Sequence, residues 1–149
     1  MKTIFVYYSN SGSGDCLASL LREKGFEILK LETKRKIGKI GFFKMFFLGG
    51  RASFHRKSKL LPYSFNKDSY DRIIVGSPVW ADLPSTPINA FLAQNDLSNK
   101  PLVFLFYSGS GECKKGRIEV KRRYPDAEVI DIKSPKENQE DAKAIASRL

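Results

Sequence analysis

Residues 4–21 read IFVYYSNSGSGDCLASLL. The first five are β-branched or aromatic, the composition of a buried strand. The last five place Leu17, Leu20 and Leu21 on one face of a helix. Between them lies a turn of little but Ser, Asn and Gly. A strand that enters a helix through such a turn leaves backbone N–H groups open at the helix N-terminus, where they bind anions. Ser9, Ser11 and Ser13 add hydroxyl donors around Gly12, enough to wrap a phosphate without any lysine in the loop. The plainer alternative is an ordinary turn with Ser13 as the helix N-cap.

Strand and helix patterns alternate onward from this stretch. Residues 26–31 form a second strand once Gly25 has ended the helix. Residues 72–76 (RIIVG) form a third, and residues 101–107 (PLVFLFY) the most apolar and hence a central one. Residues 128–132 form a fifth. Helical patterns fill 86–93, with Pro87 in the first turn, 112–123, and 137–149, with Ala142, Ile145, Ala146 and Leu149 as one stripe. This predicts an α/β fold: a three-layer doubly wound sandwich around a five-stranded parallel sheet of order 2-1-3-4-5. The 149 residues fit one domain, 1–149. Two cysteines do not make a disulfide framework, so a cytoplasmic protein is expected. No apolar run is long enough to span a membrane.

The net charge of +10 is local. No Asp or Glu occurs between Thr33 and Asn66, and residues 34–59 hold nine Lys or Arg; the remainder carries 17 basic and 16 acidic residues. The segment reads KRKIGKIGFFKMFFLGGRASFHRKSK where a crossover helix is expected. Its basic and aromatic content makes it a solvated helix face, a dock for an acidic protein, or a peripheral contact with anionic membrane. It contains no recognisable element for reading nucleic acid. A second basic cluster comprises Lys114, Lys115, Arg117, Lys121, Arg122 and Arg123.

In an open sheet of the expected order, ligands bind beyond the carboxyl ends of the strands. Three loops rich in Gly, Ser or Pro fall there: 9–14, 77–84 and 108–113. The first, YYSNSGSG, resembles the phosphate loop of the flavodoxin family, with Ser9, Asn10, Ser11, Gly12, Ser13 and Gly14 in its positions. It departs from the family at Gly14, which commonly carries a Thr or Ser. The second, GSPVWADLPSTP, resembles the loop that gives backbone groups and often a stacking aromatic to the flavin; Pro78, Val79, Trp80 and Ala81 match it. The third, YSGSGECKKG, resembles the second ring-contacting loop, with Tyr107 as a stacking candidate and Ser108, Gly109, Ser110 and Gly111 offering N–H groups. Cys113 lies close by.

The resemblance spans nearly the whole chain and implies a noncovalently bound FMN at the sheet's switch point. That order and that site are the flavodoxin arrangement itself, so the link comes with the resemblance and not separately from the residues. It implies electron transfer through the flavin with no catalytic acid or base. Flavodoxins are typically acidic and this chain is basic, which favours a redox partner with an acidic face. An NAD(P)H-dependent FMN reductase or quinone-type oxidoreductase is the rival. A third reading is a flavodoxin-fold binding module that has lost tight FMN binding. The other nucleotide and catalytic motifs fit poorly. Leu17 stands at the third glycine of a dinucleotide fingerprint, no G-x-x-x-x-G-K-[ST] or G-x-S-x-G occurs, and the single histidine is His55 in the basic segment. No Cys/His cluster suggests a metal.

Overall fold

A computed structural model describes residues 1–34 and 57–149. The basic segment lies mostly outside them, so the readings of residues 35–56 lie outside the described residues. The elements run β1 (Thr3–Tyr7), α1 (Ser13–Glu23), β2 (Glu27–Lys30), β3 (Arg72–Trp80), β4 (Leu83–Pro84), α2 (Thr86–Gln94), β5 (Leu102–Ser108), α3 (Lys114–Arg123), β6 (Glu128–Lys133) and α4 (Gln139–Arg148). A short 3₁₀ turn, Lys67–Ser69, precedes β3. The sheet order is β2-β1-β3-β5-β6, with β4 paired to β3 alone. Without that two-residue strand the order is the expected 2-1-3-4-5, all parallel.

Alternation along the strands builds both outer layers. Ile4 and Val6 of β1, with Tyr8 just beyond it, face one side, and in β5 Leu102, Phe104 and Phe106 do the same; they pack with Ile88, Phe91 and Leu92 of α2 and Val120 of α3. Phe5, Tyr7, Val103, Leu105 and Tyr107 face the other side, against Leu17 and Leu21 of α1 and Ala142 and Ala146 of α4. Helices on both faces of a parallel sheet are what right-handed crossovers require. Although β5 is buried from Leu102 to Tyr107, it is not the middle strand; β3 holds that place, between β1 and β5.

Gly25 ends α1 as expected. Its φ is 85°, its N–H donates to the Arg22 carbonyl at 2.9 Å, and the Phe26 N–H reaches Leu21 at 3.1 Å. That pair of bonds is a Schellman stop, which glycine adopts without a Cβ penalty.

The expected loop over residues 77–84 is mostly strand. β3 continues to Trp80, pairing Ser77 with Phe106 and Pro78 with Tyr107, and then turns back as β4. Pro78 does not break it because alternate residues point opposite ways along a strand. Gly76 accepts from Tyr8 on the β1 side, so Pro78 faces that side too. There β1 has already ended, and no ladder donor is missed.

The described flanks of the basic segment meet each other. Thr33 pairs with Leu60, the Lys34 N–H donates to the Lys59 carbonyl at 3.0 Å, and Ser58 meets Thr86 at the start of α2. These flanks lie beyond the carboxyl end of β2. Among the described residues no helix is long and apolar enough to cross a membrane.

Candidate functional site

The first loop leaves β1 after Tyr7 and enters α1 at Ser13. The N-cap is Gly12, with a φ of 95°, and not Ser13, which is the first helical residue. The left-handed backbone at that position explains the glycine. The Ser9 hydroxyl accepts from the N–H groups of Gly12 and Gly14, each at 3.2 Å. The N–H groups of Ser11, Ser13 and Asp15 have no hydrogen-bond partner among the described residues. An anion seated there would meet the helix N-terminus and the Ser11 and Ser13 side chains.

One carboxylate sits close to this loop. Asp15 accepts from the Tyr7 hydroxyl at 2.8 Å and from the Lys30 ammonium at 2.7 Å. Burial pushes its carboxyl up, but the Lys30 and Tyr7 bonds outweigh that and hold it below its ordinary value. Lys30 thus cancels a charge that would otherwise repel an anion in the loop.

Gly14 is explained by what lies beneath it. A Cβ there would stand 2.6 Å from the Tyr107 hydroxyl, 2.8 Å from the Tyr7 ring and 2.9 Å from the Ser9 Cβ. The Tyr107 hydroxyl donates to the Tyr8 carbonyl, so the side chain is a prop under the loop. Burial pushes its phenol well above the ordinary value, which keeps it a donor. Stacking of Tyr107 on a ligand, as expected from sequence, does not fit this position, since its ring is buried.

Trp80 is displaced from its expected role in the same way. It is 6% exposed and meets Tyr8 edge-on, with ring centroids 5.9 Å apart and planes at 88°. The indole belongs to the core layer containing Phe106 and Cys113. Cys113 is also buried, and burial pushes its thiol up to about 12, so it stays protonated and unreactive.

The turn after Trp80 joins the second loop to the third. Ala81 and Asp82 have φ of 52° and 62°, the sign that a two-residue type I′ hairpin requires at both central positions. Neither is glycine, so the turn is strained by roughly 1 kcal/mol or more per residue. Tertiary bonds hold it. The Asp82 carboxylate accepts from the Lys115 N–H at 3.1 Å, and its carbonyl accepts from the Gly116 N–H at 3.0 Å. The hairpin tip therefore caps α3, whose own N-cap, Cys113, makes no side-chain cap bond. Behind it the buried Ser77 hydroxyl accepts from the Ser85 N–H at 2.9 Å and donates to the Pro78 carbonyl at 2.8 Å. Replacing Asp82 by Ala should destabilise the domain by about 1–2 kcal/mol, the usual cost of a lost cap. Chemical denaturation at constant m-value checks this; a change below a few tenths would mean that the turn holds itself.

The third loop turns its hydroxyls on itself. Ser108 accepts from the Gly111 N–H at 2.9 Å and lies 3.2 Å from the Ser110 hydroxyl. Its carbonyl takes the Ser134 N–H at 2.9 Å, tying the loop to the end of β6. Gly111, at φ 77°, is pressed against the Lys133 side chain, whereas Gly109 faces open space. Between this loop and the hairpin lies a groove of about 480 Å³. Val79, Ala81 and Asp82 line one wall, Ser108, Gly109 and Ser110 the other, with Glu112 and Lys114 at the rim. That size suits a small-molecule ligand.

Of the residues expected from sequence, Ser9–Gly14 make the turn that enters α1, and Val79, Ala81 and Ser108–Ser110 line the groove. Pro78, Trp80, Tyr107 and Gly111 support it from behind. Asp82 and Lys136, which approaches Gly12 from the loop before α4, were not expected. Among the described residues no group of His, Cys, Asp and Glu could hold a metal ion.

A sequence profile of the family described as Flavodoxin matches residues 54–144, more than half of the chain. The sequence matches none of the curated proteins with which it was compared. Among solved structures the chain resembles a candidate flavoprotein of Bacteroides uniformis, at TM-score 0.74 and 19% identity over 98% of this chain and 97% of that one. It also resembles a flavoprotein of Lactobacillus acidophilus in complex with FMN, at 0.67 and 21% over 93% and 97%. A third is the oxidised flavodoxin 1 of Bacillus cereus, at 0.52 and 16% over 99% and 95%. At such identities these likenesses concern the fold.

Proposed function

The chain belongs to the flavodoxin family, and on that premise we propose that it is a flavoprotein binding FMN noncovalently at the carboxyl edge of its sheet. The observation that carries the reading is a pair of features beyond the carboxyl ends of the strands, one after β1 and one between the ends of β3 and β5. One is a hydroxyl-rich loop with open N–H groups, the other a groove of about 480 Å³. The Lactobacillus acidophilus flavoprotein solved with FMN supports the choice of cofactor.

The residues present fit the group. Ser9–Gly14 hold the phosphate through the N–H groups of Ser11, Ser13 and Asp15 and the Ser11 and Ser13 hydroxyls. Val79, Ala81 and Ser108–Ser110 flank the ring. The missing hydroxyl at position 14 is offset by a loop whose geometry Tyr107 fixes from below. FMN, when bound, supplies one- and two-electron redox chemistry; the chain positions it and excludes water from one side. Cys16 and Cys113 are free, which fits a reducing cytoplasm.

We assign the protein to electron transfer, with a partner that docks through an acidic face. On α3, beside the groove, Lys114, Lys115, Lys121 and Arg122 are exposed around Ile118, itself 61% exposed. Lys114 pairs with Glu112 at 3.3 Å and Arg122 with Glu119 at 2.7 Å on that surface, and Arg117 is held by Asp131 at 2.6 Å and the Val129 carbonyl at 3.0 Å, which leaves Lys115 and Lys121 without an ion pair among the described residues. The test has two stages. The purified protein should be yellow and release FMN on denaturation; a colourless protein that takes up no added FMN would sink the reading. Under anaerobic conditions, no bleaching by NADH or NADPH without an added reductase marks a carrier, and rapid bleaching by either alone marks a reductase.

A further inference from the structure

We infer that Lys136, on the loop between β6 and α4, supplies the positive charge of the phosphate site and selects the phosphorylated flavin. The inference rests on the FMN reading above. The loop 9–14 contains no Lys or Arg. Hydroxyls and amides alone would have to offset a phosphate charge of about −1.5 to −2. The Lys136 side chain runs along Gly12, with Cδ, Nζ and Cε 3.6, 3.7 and 3.9 Å from where a Cβ on that glycine would stand. Gly12 is the N-cap of α1, so the ammonium lies beside the start of that helix.

Lys136 is also uncommitted. Lys30 is paired with Asp15 and Lys114 with Glu112, yet among the described residues the Lys136 ammonium has no hydrogen bond or ion pair. Its backbone, in contrast, is fixed. Ser134 holds a φ of 40°, and its carbonyl accepts from the N–H groups of Glu137 and Asn138, each at 2.9 Å. The Asn138 side chain donates to Lys133 at 2.9 Å, and the Cys16 thiol to the Pro135 carbonyl at 3.6 Å, which ties this loop to α1. A free ammonium on a fixed base beside an anion loop is a charge clamp. Its exposed position makes its contribution sensitive to salt.

The test compares FMN with riboflavin, which lacks the phosphate, by titration of wild type, Lys136→Ala and Lys136→Arg. Loss of the charge should weaken FMN binding about tenfold, which is about 1.4 kcal/mol, and leave riboflavin unchanged. Lys136→Arg should stay near wild type. The wild-type preference for FMN should shrink between about 0.05 M and about 0.5 M NaCl, as screening predicts, while that of Lys136→Ala changes little. Unchanged FMN affinity in Lys136→Ala, or an equal loss for both flavins, overturns the inference and leaves the FMN reading standing. A wild-type protein that binds neither flavin overturns the FMN reading itself, and the inference with it.

Discussion

Replacing Trp80 by Ala is expected to cost about 3–5 kcal/mol of stability, the range for emptying a large aromatic from a packed core. The indole is 6% exposed, stands edge-on to Tyr8 and shares its layer with Phe106 and Cys113. Trp80→Phe keeps most of the volume, and should fold with a loss of about 1–2 kcal/mol and bind FMN within a few-fold of wild type. Denaturation curves and a flavin titration on the same samples separate packing from stacking. A stable Trp80→Phe protein with FMN affinity reduced more than about tenfold, or 1.4 kcal/mol, would show that the indole touches the ring after all.

Gly14 carries the second large effect. Placing a Thr there, as the family pattern commonly has it, should not strengthen the phosphate site. The new Cβ would fall 2.6 Å from the Tyr107 hydroxyl and 2.8 Å from the Tyr7 ring, and both rings are buried. Overpacking of this kind costs about 1–3 kcal/mol, and FMN affinity should fall with the distorted loop. Tyr107→Phe removes the closest clashing atom, so Gly14→Ala should cost less in that background than in wild type. A double-mutant cycle measures the coupling. Additive losses, or a Gly14→Thr protein of wild-type stability with tighter FMN binding, would refute the account of this glycine.

Both predictions come from places where the sequence was legible only in part. β1 and β5 read directly as buried strands from their unbroken apolar runs, and in the structure their successive residues fill the two layers in turn. The Gly25 stop was equally clear, because it is set by local backbone chemistry, whereas the N-cap of α1 fell on Gly12 and not on Ser13. The β3–β4 hairpin left no such signal. Pro78 reads as a strand breaker unless one knows that β1 has already ended beside it, and Ala81-Asp82 lacks the glycine that usually marks a type I′ turn.

Trp80 was misplaced for a related reason. Counting by twos from Ile74 puts it on the α1 side, yet it packs with Tyr8 on the other. β3 has left its last sheet partner at Pro78 and pairs only with β4 beyond it, so the sheet's parity no longer applies. A lone Trp in a polar, proline-rich stretch looks available to a ligand, but composition does not say which way it faces. Asp82 capping α3 and Lys136 lying along Gly12 are tertiary facts. Lys136 and Gly12 are joined only by the topology that brings the end of β6 beside α1.

The central claim is that the loop 9–14 and the groove between residues 79–82 and 108–110 form one FMN site. Amide chemical-shift mapping of the flavin-free protein during titration with FMN tests it most directly. Large shifts should gather at Ser11, Ser13 and Asp15 for the phosphate and at Val79, Ala81, Ser108 and Gly109 for the ring, with α4 beyond its first turn unmoved. No saturable shifts, or shifts confined to another face of the sheet, would contradict the account.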